Sequence, residues 1–318
     1  MRHKTEAMST NVLVSGASGF IGSRLCTALT AQGYAVRAMT RRPDRYDGAG
    51  EAVFGDVADE DSLRAALQGV EAAYYLVHTL ESDDFENQDA DAALNFGGAA
   101  ADVGVDRLIY LGGLGVDDGR LSPHLASRRQ VEQLLPLAGV PVTVLRAAVV
   151  VGHGGISWEM TRQLIDHLPA MVTPRWVHTR TQPIALPDVI RYLVGVLEAP
   201  EARGRIFEIG GPEVLSYLDM LQRAAAVMGR RLPNVSVPLL TPGLSSRWLS
   251  LVTDVETATA RTLIESMGNE VIVTDHAIEQ IVPGPTMGYD DAVRLALADR
   301  RESRESRESG ADAAPAVT

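Results

Sequence analysis

The sequence predicts an α/β fold, a doubly wound parallel sheet with a small C-terminal lobe. Three observations predict it. Short apolar runs of strand type alternate with helical patterns at an even pitch from Asn11 to Leu145. That alternation implies right-handed crossovers and a sheet covered by helices on both faces. The first run opens directly onto Gly16, Gly19 and Gly22, and a helical pattern follows them. With 318 residues the chain is long enough to bury one large core and carry an appendage.

The elements follow in order. In Asn11–Gly22, N-V-L-V-S-G-A-S-G-F-I-G, Val12 to Ser15 read as strand one, and Phe20, Ile21, Leu25 and Leu29 mark one face of the next helix. A buried strand, a glycine turn and a helix N-terminus together make an anion site, because backbone N–H groups can approach a pyrophosphate and the helix dipole favours its charge. Gly16, Ser18, Gly19, Phe20, Ile21 and Gly22 are therefore candidate dinucleotide contacts in a Rossmann-type fold; the alternative is a structural turn with no ligand. Strands are expected at 35–39, 52–54, 72–76, 107–111 and 142–145, with helices at 59–68, 83–103 and 122–137. Beyond Val151 the rhythm loosens. Helices are expected at 156–168, 187–197 and 216–228, and a strand at 205–209. The expected organisation is a flexible arm over 1–10, a nucleotide-binding domain over 11–230, a substrate-side lobe over 231–299 and a disordered tail over 300–318. The tail reads R-R-E-S-R-E-S-R-E-S and has no apolar residues to bury.

Bulk properties narrow the partners. A net charge of −12 argues against nucleic acid or an anionic membrane. No apolar run reaches the roughly 18 residues of a membrane span, and Met1 to Thr10 lacks a secretory apolar region, so a cytoplasmic location is expected. Cys26 stands alone, which excludes an intramolecular disulfide and leaves no cysteine-based metal site. Of 29 basic residues only Lys4 is a lysine, which removes lysine from any candidate active site.

The end of strand two selects the dinucleotide. An acid there accepts from a ribose 2′-hydroxyl, whereas arginine accommodates a 2′-phosphate. Thr40, Arg41 and Arg42 precede the first acid, Asp44, so NADP(H) is expected over NAD(H). Two surface arginines solvating a loop is the plain alternative.

The GxxGxxG spacing resembles the extended and atypical branches of the short-chain dehydrogenase/reductases. Y-Y-L-V-H from Tyr74, R-L-I-Y-L-G-G-L-G from Arg107, L-S-P-H-L-A-S-R from Leu121, P-R-W-V-H-T-R-T-Q-P-I from Pro174 and F-E-I-G-G-P from Phe207 resemble an NmrA-like or epimerase-like atypical subgroup. The resemblance implies that Asp56 and Val57 lie by the adenine, that Leu76, Val77 and His78 pass under its ribose, that Ala147 and Val149 lie by the nicotinamide, and that Gly112 also contacts the cofactor. Asp56 reads equally as a turn residue, and His78 as a loop histidine.

Reductases of this superfamily pair a tyrosine with a lysine four residues later and a serine at the end of strand five. The lysine lowers the tyrosine's pKa from about 10. Aligned on that helix, His124 takes the tyrosine position and Arg128 the lysine position, while Gly112 and Gly113 replace the serine region. One reading makes His124 the acid/base, since an imidazole needs no lysine at neutral pH, with Arg128 on the ribose. The other makes the protein an NADP(H)-binding regulator without catalysis. An NAD(P)-retaining epimerase would need the same acid/base group. His124 reads equally as a polar residue early in a helix that Ser122 caps. Trp176, His178, Arg180 and Gln182, evenly spaced, would share one face of a strand, as a polar pocket wall or a solvated surface.

Overall fold

The computed structural model describes residues 10–78, 84–115, 121–167, 171–173, 175–236 and 264–312. Two compact units emerge. The first comprises 1–147, 189–209 and 273–284, and the second 148–188, 210–272 and 285–318.

The first unit is built on seven parallel strands: β1 (Asn11–Ser15), β2 (Ala35–Thr40), β3 (Glu51–Phe54), β4 (Ala72–Tyr75), β5 (Arg107–Gly113), β6 (Val142–Ala147) and, after the short strands β7 (Val150–Val151), β8 (Met171–Thr173), β9 (Arg180–Thr181) and β10 (Ile184–Ala185), β11 (Ile206–Ile209). Their order across the sheet is β3-β2-β1-β4-β5-β6-β11. Strand order reverses between β1 and β4, which opens the crevice where such sheets bind ligands, beyond the strands' C-terminal ends. Buried Ser15 fastens that junction. Its hydroxyl donates to the Tyr74 carbonyl at 2.9 Å and accepts from Leu76 N–H at 3.0 Å.

Helices α1 (Phe20–Ala31), α2 (Glu60–Leu67), α3 (Phe85–Asp102), α4 (Pro123–Leu134), α5 (Ile156–His167) and α6 (Leu186–Glu198) follow as the sequence pattern predicts, within a few residues. On one sheet face, Leu63 and Leu67 of α2, Phe96 and Ala100 of α3 and Val131 of α4 pack on Leu13, Ala73, Tyr75, Leu108, Tyr110 and Val144. Tyr75 joins this layer through ring contacts with Phe96 (5.0 Å) and Tyr110 (6.1 Å). The neighbouring Tyr74, pointing the other way as strand alternation requires, donates to Leu193 O of α6 at 2.9 Å. Asp59 caps α2 by accepting from Asp61 and Ser62 N–H, which is why that helix begins at Glu60.

The second unit has its own core. Trp158 and Ile165 of α5, Tyr217, Leu221 and Ala224 of α7 (Tyr217–Val227) and Tyr289, Val293 and Ala296 of the last helix pack together. Ser216, in β12 (Leu215–Ser216), closes a capping box with Asp219. β13 (Asn234–Ser236) pairs with β8. After α8 (Ile278–Ile281) in the first unit, α9 runs from Tyr289 to Asp312. The charged repeat expected to be disordered is thus helical from Arg300 to Asp312. Arg and Glu are strong helix formers, and Arg304 with Glu308 at 3.9 Å adds an i,i+4 pair.

A second expectation fails in the connection after α5. Arg175–His178 form a 3-10 turn, so Trp176 and His178 do not share a strand face with Arg180 and Gln182. Arg180 pairs with Glu270 at 2.8 Å, and Gln182 donates to Gly211 O at 2.7 Å. Asp188, an acid in the first turn of α6, is buried and accepts Met287 N–H at 2.8 Å.

Candidate active site

The glycine turn after β1 has the geometry a bound pyrophosphate needs. Gly16 has φ +65, a backbone conformation that side chains strain, and a Cβ there would stand 3.1 Å from Leu76 O. Gly22 is the tightest point. A Cβ there would lie 2.2 Å from Gly16 O, so only glycine lets α1 start this close to β1. Gly19 is the N-cap of α1 and gives no side-chain capping bond, and no acid lies in the first turn. The leading N–H groups of α1 therefore meet no capping side chain or carboxylate, as an anion at that end requires. Ser18 is exposed, while Phe20 and Ile21 are half-buried at the helix start.

The remaining cofactor candidates of the first unit follow the C-terminal ends of parallel strands and so share one sheet edge. Arg41 and Arg42 are exposed just beyond β2. Asp56 accepts Ala58 N–H at 3.0 Å, a local turn, and its own N–H donates to Ser62 Oγ at 3.0 Å. Val57 O accepts from Asn95 at 3.0 Å. Leu76 and Val77 continue from β4. Gly112 is buried within β5, paired with Arg146 of β6, and Ala147 ends β6. Val149 lies in the second unit, packed on its core.

At the end of β5, Gly113 makes room for α4: a Cβ there would meet Leu125 Cδ2 at 2.9 Å. Helix α4 is thereby seated against the strand's end, with Ser122 as its N-cap accepting from Leu125 N–H. Buried Glu132 anchors it further, accepting from Arg129 at 2.9 Å and from Arg146 of β6 at 2.5 and 2.9 Å. Arg128 turns back over the Tyr110 ring, 5.2 Å from its centroid, and donates to Leu111 O, while Tyr110 donates to Arg128 O at 3.1 Å.

His124, in the first turn of α4, stands in a chain of polar groups. Its Nδ1 lies 3.2 Å from Nε2 of His78, and Nδ1 of His78 lies 2.7 Å from Oδ2 of Asp89 in α3. Ser127 Oγ donates to the same carboxylate oxygen at 3.0 Å. Asp89 and Ser127 are buried, and His78 and His124 are half-buried. Burial first, then the His78 ring and the Arg128 guanidinium, lower the His124 pKa to about 3. Burial and then Arg128 also lower that of His78, against the pull of Asp89. Both imidazoles are neutral at neutral pH. His78 is thus no loose loop residue but a bridge between Asp89 and His124.

Asp89 was not among the sequence candidates. Its signal is position: it shares the helical face of Ala92, Ala93, Phe96 and Ala100, all buried. An aspartate on a core-facing stripe needs a polar partner.

The seven-stranded parallel sheet with its glycine turn is a Rossmann-type fold. Residues 16–166 match the profile of a family described as NAD(P)H-binding. Over 233 residues the chain is 29% identical to (4-alkanoyl-5-oxo-2,5-dihydrofuran-3-yl)methyl phosphate reductase of Streptomyces griseus, covering 70% of this chain and 75% of that one. An uncharacterised Mycobacterium tuberculosis protein is 26% identical over 230 residues, 72% of this chain but only 24% of that protein. Citrobacter triphenylmethane reductase complexed with NADP(H) superposes with a TM-score of 0.74 at 17% identity, covering 90% of this chain and 99% of its own. The NADPH-dependent quinone oxidoreductase of Escherichia coli, complexed with NADPH, gives 0.74 at 18% identity with the same coverage. The likeness to the two solved structures shows a shared Rossmann-type fold, and residues 16–166 are similar to the NAD(P)H-binding family. Among the described residues no group of side chains could hold a metal, and no helix is long and apolar enough to cross a membrane.

Proposed function

We propose that the protein is an NADP(H)-dependent oxidoreductase acting on a small organic carbonyl or alcohol, with His124 exchanging the proton. The observation that carries this reading is the seat of His124. It opens the helix that packs on the end of β5, at the same sheet edge as the glycine turn. The relatives named as reductases support the reaction class. Gly16, Ser18, Gly19, Phe20, Ile21 and Gly22 would hold the pyrophosphate, and exposed Arg41 and Arg42 a 2′-phosphate. When bound, the nicotinamide supplies or accepts hydride.

Titration with NADPH and NADH, followed by nicotinamide fluorescence, tests the cofactor assignment. NADPH should bind at least tenfold tighter, and the double variant R41A/R42A should erase that preference while leaving NADH affinity within about twofold. A panel of quinones and aldehydes then tests turnover. His124→Ala should abolish it with NADPH affinity nearly unchanged. Failure of both nucleotides to bind would overturn the reading at Gly16. The missing Ser, Tyr and Lys favour one rival, a non-catalytic NADP(H)-sensing protein, for which NADPH would bind and no compound would be reduced.

A further inference from the structure

We propose that Asp89, His78 and His124 form a proton relay, in which Asp89 and His78 are positioning residues that aim an unprotonated Nε2 of His124 at a substrate hydroxyl. The inference rests on the oxidoreductase reading and goes beyond it, because it assigns each proton and the direction in which the resting site is poised. The chain of assignments starts at the carboxylate. Asp89 Oδ2 takes the Ser127 hydroxyl hydrogen and contacts Nδ1 of His78, so it accepts from both and that Nδ1 carries hydrogen. A neutral His78 then has a bare Nε2, which at 3.2 Å accepts from Nδ1–H of His124. A neutral His124 holding its hydrogen on Nδ1 has a bare Nε2.

The Asp89 side chain is 3% exposed and that of His78 15%, with His124 half-buried beside it. Among the described residues, the charged groups acting on the pair are Asp89 from α3 and Arg128 from α4, and Tyr75 of β4 and Tyr110 of β5 lie near those two. Arg128 opposes a proton on either ring, whereas the Asp89 carboxylate, in direct contact with His78, favours one there. When a substrate hydroxyl gives its proton to His124 Nε2, the O–H bond breaks and an N–H bond forms. The Nδ1 proton of His124 passes to His78 Nε2, so the positive charge comes to rest against Asp89. The carbon's hydride leaves to the oxidised nicotinamide, and the substrate becomes a carbonyl. Reduction runs the same steps backwards and needs the pair protonated first. The resting, neutral site is therefore set for alcohol oxidation, whose rate should rise with pH only through the acid range and level off once both rings are neutral, while reduction should slow as pH rises.

The decisive readout needs no turnover. Long-range 1H–15N correlation spectra of the full chain, 15N-labelled at histidine, report which ring nitrogen is protonated. At pH 7.5 both His78 and His124 should carry hydrogen on Nδ1 only. Asp89→Asn can turn its amide N–H toward His78, which should move both hydrogens to Nε2 and lower kcat by about 10²–10⁴-fold with KM for NADPH unchanged. Hydrogen on Nε2 of His124 in the unaltered protein overturns the relay, whatever the variant does. So would unchanged tautomers in a folded Asp89→Asn protein. Correct tautomers with no substrate turned over would instead sink the oxidoreductase reading and leave the proton assignment standing.

Discussion

A neutral histidine pair makes stability depend on pH in a direction that can be worked out. In the unfolded chain a histidine titrates near roughly 6.5, whereas folding holds His124 at about 3. Between those values the unfolded chain binds the extra proton, so stability is complete above about pH 6.5 and is lost progressively as pH falls toward 3. The lowered pKa of His78 acts in the same direction. Urea midpoints measured from pH 7.5 down to 4.5 should therefore fall steeply in the natural protein. His124→Asn should flatten that slope by up to about 1.4 kcal/mol per pH unit. Parallel slopes would show that His124 is not held neutral. At this scale the sequence was partly legible. His124 and Arg128 stand out by aligning one helix, and the glycines by spacing. The partnership of His78 with Asp89 is not visible that way, because 11 residues separate them and only the fold of α3 against β4 brings them to 2.7 Å.

Between elements, backbone proximity decides what a side chain can be. Gly97 and Gly98 are neighbours in α3 with opposite surroundings. A Cβ on Gly97 would stand 2.6 Å from Leu135 O, a backbone atom that cannot swing away, whereas a Cβ on Gly98 would meet nothing within 4 Å. Replacing Gly by Ala in a helix is worth about 1 kcal/mol in propensity, and overpacking costs about 1–3 kcal/mol. Gly98→Ala should stabilise the protein by about 0.5–1 kcal/mol, and Gly97→Ala should destabilise it or at best leave it unchanged. Chemical denaturation of the two variants side by side checks the contrast, and equal shifts would show that α3 lies further from Leu135. Strand and helix positions were legible because the strands of a two-face-buried sheet are short apolar runs between helical patterns. The 3-10 turn at Arg175–His178 was not, since alternate spacing of Trp176 and His178 fits a strand equally well.

For the whole molecule, the C-terminal helix carries two sequences of different kinds on one rod. Its first turns bury Tyr289, Ala292, Val293 and Ala296 in the second unit's core, and the Tyr289 hydroxyl donates to Met220 O at 3.0 Å. Arg223 ties the same turn down, bonding Asp290 at 2.8 Å and Glu213, which also accepts Tyr289 N–H at 2.9 Å. From Arg301 on, the described side chains are mostly exposed. Helicity there follows from propensity and continuity with a docked segment rather than from burial of its own. The two halves should respond differently to truncation. Ending the chain after Arg300 removes surface groups worth roughly 0.5 kcal/mol in total and should shift Tm by no more than about 2–4 °C. Ending it after Gly284 strips a tyrosine and a valine from the core, each worth about 1.5–3 kcal/mol of burial, together with the hydroxyl bond and the ion pairs. Against a total stability of about 5–15 kcal/mol, that loss should leave the second unit open to limited proteolysis while the longer truncate stays resistant. Equal resistance of the two truncates would mean that Tyr289 and Val293 do not complete that core.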